Sequence, residues 1–168
     1  MAARVIAPRS RVARALLCAA FLAAGCGEAE EPVKWTASID GTDTVAPGSV
    51  VRVKVEARSG RGWYFYSATQ PAGGPIPARI QLADSTIFRQ AGPLGSPQPS
   101  RSFDSVFGID LEKYPGRTTF TLPVRVPPEG NSGRREIRIS ALYQACNDTI
   151  CLSPRTVVLT VPVVINLR

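Results

Sequence analysis

The chain has 168 residues and carries 20 Lys and Arg against 13 Asp and Glu, a formal net charge of +7. It holds no histidine, which excludes Ser-His-Asp catalysis, Cys-His catalysis and His-ligated zinc. Four arginines (Arg4, Arg9, Arg11, Arg14) fall in the first 25 residues. Without them 16 basic side chains face 13 acidic ones, and at +3 the main support for a nucleic-acid partner is gone. No glycine-rich phosphate loop is present, so no cofactor is expected.

Residues 1–14 hold those arginines and no acid, and residues 15–24, ALLCAAFLAA, form an apolar run too short to span a bilayer and suited to a signal core. Leu22-Ala23-Ala24-Gly25-Cys26 follows, and it resembles the bacterial lipobox. The expectation is a lipoprotein signal peptide over 1–25, acylation of Cys26, a polar tether over 26–32 and one folded domain over 33–168. Gly27, rather than an aspartate, after the cysteine leans toward the outer membrane. An ordinary cleaved signal is the alternative. Both readings put the domain outside the cytoplasm, where disulfides persist.

In chain order, VKWTASI (33–39) is a weaker strand candidate, and Val51, Val53, Val55 and Ala57 alternate with Arg52, Lys54 and Glu56 as a strand with one wet face. WYFYS (63–67), ARIQL (78–82) and STIFRQ (85–90) are further weaker candidates. Residues 91–116 break the rhythm, yet Phe103, Val106, Phe107, Ile109 and Leu111 make them too apolar for a passive linker; they read as a loop that covers something. Phe120 to Val126 and Ile137 to Tyr143 alternate again. TVVLTVPVVI (156–165) forms a last strand, with Pro162 arguing for an edge or a bulge. No stretch sustains helical periodicity. The fold class expected is all-β, an immunoglobulin-like antiparallel β-sandwich of seven to eight strands. Trp35, Trp63, Tyr64 and Tyr66 read as core aromatics.

Beyond Cys18 and Cys26, the chain has only Cys146 and Cys151, at the ends of a connection between two strands where a disulfide is geometrically easy. Closing so short a loop removes only about 2 kcal/mol of unfolded-chain entropy, against nearly 5 for about 100 residues. A structural staple and a pair that cycles between dithiol and disulfide both remain open on this chemistry. Two thiolates without further ligands make an incomplete metal site, so no metal is expected, and a copper or zinc chaperone is the weakest reading.

YQACNDTICLSP (143–154), the alternating strands on either side of it, GWYFYS (62–67) and TFTLPV (119–124) together resemble the N-terminal periplasmic domain family of the thiol:disulfide interchange protein DsbD. The resemblance implies an immunoglobulin-like sandwich with a redox-active pair at Cys146 and Cys151, Cys151 attacking and Cys146 resolving. It implies exchange of the protein-disulfide reductase type. Electrons would come from a membrane electron transporter or thioredoxin-like donor and pass to periplasmic disulfide-containing clients, cytochrome c biogenesis proteins among them. It also implies a cap loop over Asp104-Ser105-Val106-Phe107-Gly108, with valine at the family's phenylalanine place and phenylalanine at its tyrosine place. Tyr143 and Arg155 are expected near the site, Arg155 being the one cation close in sequence. The family's membrane and thioredoxin-like domains do not follow in these 168 residues, so the donor is expected on another polypeptide. The alternative function is an immunoglobulin-like binding lipoprotein with a purely structural disulfide.

Overall fold

The computed structural model describes residues 31–128 and 132–166; the signal and lipobox readings, Cys26 included, lie outside them. Twelve strands follow one another: β1 (Val33–Ile39), β2 (Thr44–Val45), β3 (Val50–Ser59), β4 (Tyr64–Tyr66), β5 (Arg79–Leu82), β6 (Arg89–Gln90), β7 (Ser100–Asp104), β8 (Ile109–Pro115), β9 (Arg117–Arg125), β10 (Gly133–Tyr143), β11 (Ala145–Cys146) and β12 (Arg155–Ile165). No helix occurs among the described residues. The fold is the expected all-β, immunoglobulin-like sandwich, with the strand count raised by four two- and three-residue pieces.

The strands form three sheets of order β1-β3-β9-β6, β2-β12-β10-β5 and β11-β4-β8-β7, all pairings antiparallel except β12 with β2. Alternation explains the first two. On β3, Val53, Val55 and Ala57 are buried while Arg52, Lys54 and Arg58 are exposed. On β10, Ile137, Ile139, Ala141 and Tyr143 are buried, and β9 and β12 supply Phe120, Leu122, Val124, Val161, Val163 and Ile165. These inner faces share one core with Trp35 and Phe65, and Glu31–Arg168 is a compact unit that holds this core entirely. Trp35 packs on Phe65, Phe120 and Tyr143, with ring centroids 5.2, 6.2 and 5.3 Å away. Pro162 faces Glu136 of β10 on a stretch of β12 that β2 does not reach, because β2 pairs only with Val164 and Ile165. The missing N–H therefore costs no ladder bond on that open side.

The third sheet carries the site. Segment 91–116, expected as a covering loop, instead contains β7 and β8, which pair over five positions from Ser100↔Lys113 to Asp104↔Ile109. Successive side chains leave a strand on opposite faces. Phe65 and Tyr114 therefore point into the main core. Tyr64, Tyr66, Lys113, Leu111 and, across β4, Cys146 share the other face.

Candidate functional site

The pair sits on a tight hairpin. Backbone bonds Asn147 N to Ile150 O and Leu152 N to Ala145 O, both 2.9 Å, bracket Cys146 and Cys151. The cysteines thus form a directly opposed pair with no hydrogen bond of its own, where strands come closest. Their Cα atoms lie 4.1 Å apart and the sulfurs are bonded. The four-residue turn is set by Asn147: its Oδ1 accepts from Thr149 N and Ile150 N, both at 2.8 Å, an Asx arrangement. Tyr64 donates its hydroxyl to the Asn147 carbonyl at 3.2 Å, and Gln144 Nε2 donates to Leu152 O at 3.0 Å. The hairpin backbone is therefore held by bonds other than the disulfide.

The two sulfur residues differ in environment. Cys146 is fully buried in a small cluster with Tyr66 and Leu111, flanked by Tyr64 and Ile109. Cys151 is exposed. It lines a groove of about 400 Å³ whose other walls include Tyr64, Tyr66, Lys113, Asp104, Val106 and Phe107. On the hairpin side Asp148 and Ile150 complete it.

Asp104, Val106 and Phe107 form the tip of the β7–β8 hairpin. Asp104 Oδ1 accepts from Val106 N (2.9 Å) and Phe107 N (3.1 Å), and Gly108 N donates to Asp104 O at 2.8 Å. Gly108 closes the turn at φ +69°, a backbone region that glycine adopts at no steric cost. Val106 is 88% exposed and Phe107 46%. Of the two, Phe107 is the half-covered ring, and it lines the same groove as Cys151.

Charges in the groove are mixed. Lys113 Nζ lies 4.5 Å from the centre of the Tyr64 ring, a cation–π contact, with Asp104 and Asp148 as the groove's carboxylates. Burial pushes the Tyr66 phenol far above its usual range, with Tyr64 and Asp104 adding to the effect. Beside the groove, Glu112 is 4% exposed. It receives Thr69 Oγ1 at 2.5 Å and Arg101 Nη2 at 2.6 Å, and its own N–H donates to Gln70 Oε1 at 2.7 Å. The Thr69 hydroxyl above all, with Ser67 and Arg101, holds its carboxyl below the usual range against the opposing effect of burial.

Among the sequence-expected residues, Cys146, Cys151, Asp104, Val106 and Phe107 come together. Tyr143 does not join them: its ring is in the main core and its hydroxyl lies 3.5 Å from Glu31 Oε2 and Val33 O. Burial, then Glu31, raises its phenol. Arg155 pairs instead with Glu31, at 2.6 Å. Lys113 is the cation that lines the groove, and the 38 positions between it and Cys151 give no sign in the sequence that the two share a site. Tyr66 is buried as expected and half-buried Tyr64 packs against its cluster, and both also line the groove.

The sequence profile of the N-terminal region of the thiol:disulfide interchange protein DsbD matches residues 38–162, from the end of β1 to Pro162 of β12. This chain belongs to that family. No curated protein sequence matches it. Among solved structures, the N-terminal periplasmic domain of ScsB from Proteus mirabilis superposes with a TM-score of 0.48 at 18% identity, over 76% of this chain and 44% of that one. This DsbD-type chain thus spans less than half the length of that ScsB structure. PapD-like domain 7 of human CEP192 gives a TM-score of 0.29 at 10% identity, over 81% of this chain and 87% of that one. AvmM, which catalyses macrocyclization in alchivemycin A biosynthesis, gives 0.31 at 11% identity, over 82% and 91%.

Proposed function

We propose that this domain is a periplasmic, lipid-anchored dithiol–disulfide carrier working through Cys146 and Cys151. In the reduced form the Cys151 thiolate attacks one sulfur of a client disulfide, and the client's other sulfur leaves as a thiolate. The Cys146 thiol, its proton passing to solvent or the leaving thiolate, then attacks the Cys151 sulfur. The intramolecular disulfide forms, and the client departs as a dithiol with two electrons gained. A thioredoxin-like dithiol, carried by or fed from a membrane electron transporter, reverses these steps to recharge the pair. Acylation of Cys26 would hold the domain at a bacterial membrane by its tether.

The observation that carries this reading is the asymmetry of the pair: Cys151 exposed and lining a groove, Cys146 fully buried. An attacking sulfur must be reached by a partner, and a resolving one needs only to reach its neighbour. A bridge closing so short a loop contributes only about 2 kcal/mol as a staple, and the surrounding hydrogen bonds already hold the hairpin. The test is the reduction potential of the pair in residues 27–168, equilibrated in thiol buffers with free thiols trapped for mass spectrometry. A value between roughly −120 and −270 mV is expected for exchange. A value well below about −300 mV marks a structural bridge, and the protein would then be an immunoglobulin-like binding lipoprotein.

A further inference from the structure

The outer face of the β1-β3-β9-β6 sheet carries a large excess of positive charge. Strand register decides which side chains share that face. Lys34, Arg58 and Arg117 stand in one row across β1, β3 and β9. Glu56 lies between Thr36 and Thr119, Lys54 between Ser38 and Thr121, and Arg125 between Val50 and Arg89. Asp40 joins at the end of β1, 3.2 Å from Arg52 Nε and 2.7 Å from Lys54 Nζ. Glu56 takes Arg58 Nε at 2.6 Å and Arg117 Nε at 3.7 Å.

The face therefore holds seven cations (Lys34, Arg52, Lys54, Arg58, Arg89, Arg117, Arg125) and two carboxylates (Asp40, Glu56), a net +5. The described residues together hold 15 Lys and Arg and 10 Asp and Glu, also +5. Outside this face, eight cations and eight carboxylates cancel. The whole net charge of the described residues is on one side. Lys34, Arg58 and Arg117 stand directly opposite one another in one row, with Glu56 as the shared ion-pair partner of the two arginines.

We propose that this face docks onto an anionic lipid surface. It is the outside of a sheet whose central strand runs about 33 Å, ten residues at 3.3 Å each. Between the cations stand mainly serine and threonine, and Val50, at the end of β3, is the large exposed apolar side chain there. A specific protein interface is built around a cluster of buried aromatic or aliphatic anchors, and the paired positions of this face offer no aromatic ring and one exposed aliphatic, Val50. The exposed apolar groups Val106, Phe107 and Ile150 lie on the redox groove instead. A diffuse anionic surface asks only for concentrated positive charge. Were Cys26 acylated, the path of the chain would agree: β1, an edge strand of this sheet, begins seven residues after it, a reach of at most about 24 Å. The inference goes beyond the exchange reading and stands whether or not Cys26 is acylated.

Residues 27–168, without an acyl chain, contain the whole compact unit and are the protein to test. Co-sedimentation compares vesicles of phosphatidylcholine with vesicles of equimolar phosphatidylcholine and phosphatidylglycerol. Binding is expected to the anionic vesicles only, and to weaken as salt rises. Arg58→Thr/Arg117→Thr should lower the partition coefficient by about tenfold to thirtyfold. Arg134→Thr/Arg138→Thr, the same charge change on β10, should alter it by no more than about twofold. Lys54→Thr/Arg125→Thr repeats the test on the same face should the first variant fold poorly, with thermal unfolding of each as the control. Three results overturn the proposal: equal binding to neutral vesicles, no binding to anionic ones, or equal losses on the two faces. The second would direct the search to an acidic protein. None of these results bears on the reduction potential of the cysteine pair, so the two readings fail separately.

Discussion

Cys146 has no solvent-accessible surface, while Cys151, to which it is bonded, is exposed on the groove. Leu111 and Tyr66 cover the inner sulfur residue, so a reagent reaches it only after local opening. In the reduced protein, alkylation at Cys151 is expected to exceed that at Cys146 by at least about a hundredfold, the factor for an opening free energy near 3 kcal/mol. Quenched iodoacetamide labelling read by mass spectrometry measures the ratio. Similar rates at the two sulfurs would remove the assignment of attacking and resolving roles.

Phe107 is the ring of the β7–β8 tip that faces the groove, and Asp104 holds that tip through two backbone N–H groups. Phe107→Ala is expected to speed reduction of the disulfide by dithiothreitol by about twofold to fivefold, since the partner sulfur then approaches Cys151 with one wall removed. Asp104→Ala should act in the same direction, because it leaves the tip without bonds worth about 1 kcal/mol each. If neither variant changes the rate while both remain folded, the hairpin tip packs over the sandwich end and does not gate the pair.

The sequence made the two large sheets legible because each buries one face only. On β3 and β10 that leaves a strict alternation, and β1 falls on VKWTASI without a residue's difference. Of the third sheet only β4, inside WYFYS (63–67), was legible; its other strands were hidden for the opposite reasons. β7 is exposed along nearly its whole length, so it has no apolar phase to read. β8 buries Leu111 and Glu112 side by side, one under each face, which erases the period. Strands β2 and β11 are two residues long. The cysteine hairpin was legible because its ends and turn are local in sequence. The groove was not, since Tyr64, Lys113 and Cys151 meet only through the pairings β11-β4-β8, whose partners lie tens of residues apart. Arg155, near in sequence, proved to pair with Glu31.

Glu112 links this sheet to acid stability. Its carboxyl is held below the usual range in the folded domain, chiefly by the Thr69 hydroxyl. An unfolded chain binds that proton more readily, so the contribution is fully present above the ordinary glutamate range, near pH 4.3, and is lost as pH falls through the lower folded value. Thr69→Val should cost about 1.5–3 kcal/mol at neutral pH, the range for a hydrogen bond to a charged group. Urea unfolding at pH 7 and pH 3 should show that penalty shrinking at the acid end. An equal penalty at both pH values would mean that Thr69 acts through packing rather than through the carboxylate.

Lys113 provides the most direct handle on the chemistry. Asp104 and Asp148 line the groove with it and with Cys151, and a carboxylate close to a thiol disfavours the thiolate. Lys113, seated over the Tyr64 ring, is the opposing charge. Lys113→Met keeps most of the stem and removes that charge, so the Cys151 thiol is expected to deprotonate at higher pH and to alkylate severalfold more slowly at pH 7. Lys113→Arg should restore the wild-type profile, since it retains the cation, whereas a loss due only to packing would not be rescued in the pH dependence. The measurement is the alkylation rate of the reduced domain from pH 6 to pH 10, with urea unfolding of each variant alongside. A profile for Lys113→Met that overlays the wild type would show that the groove carboxylates set the thiolate without it.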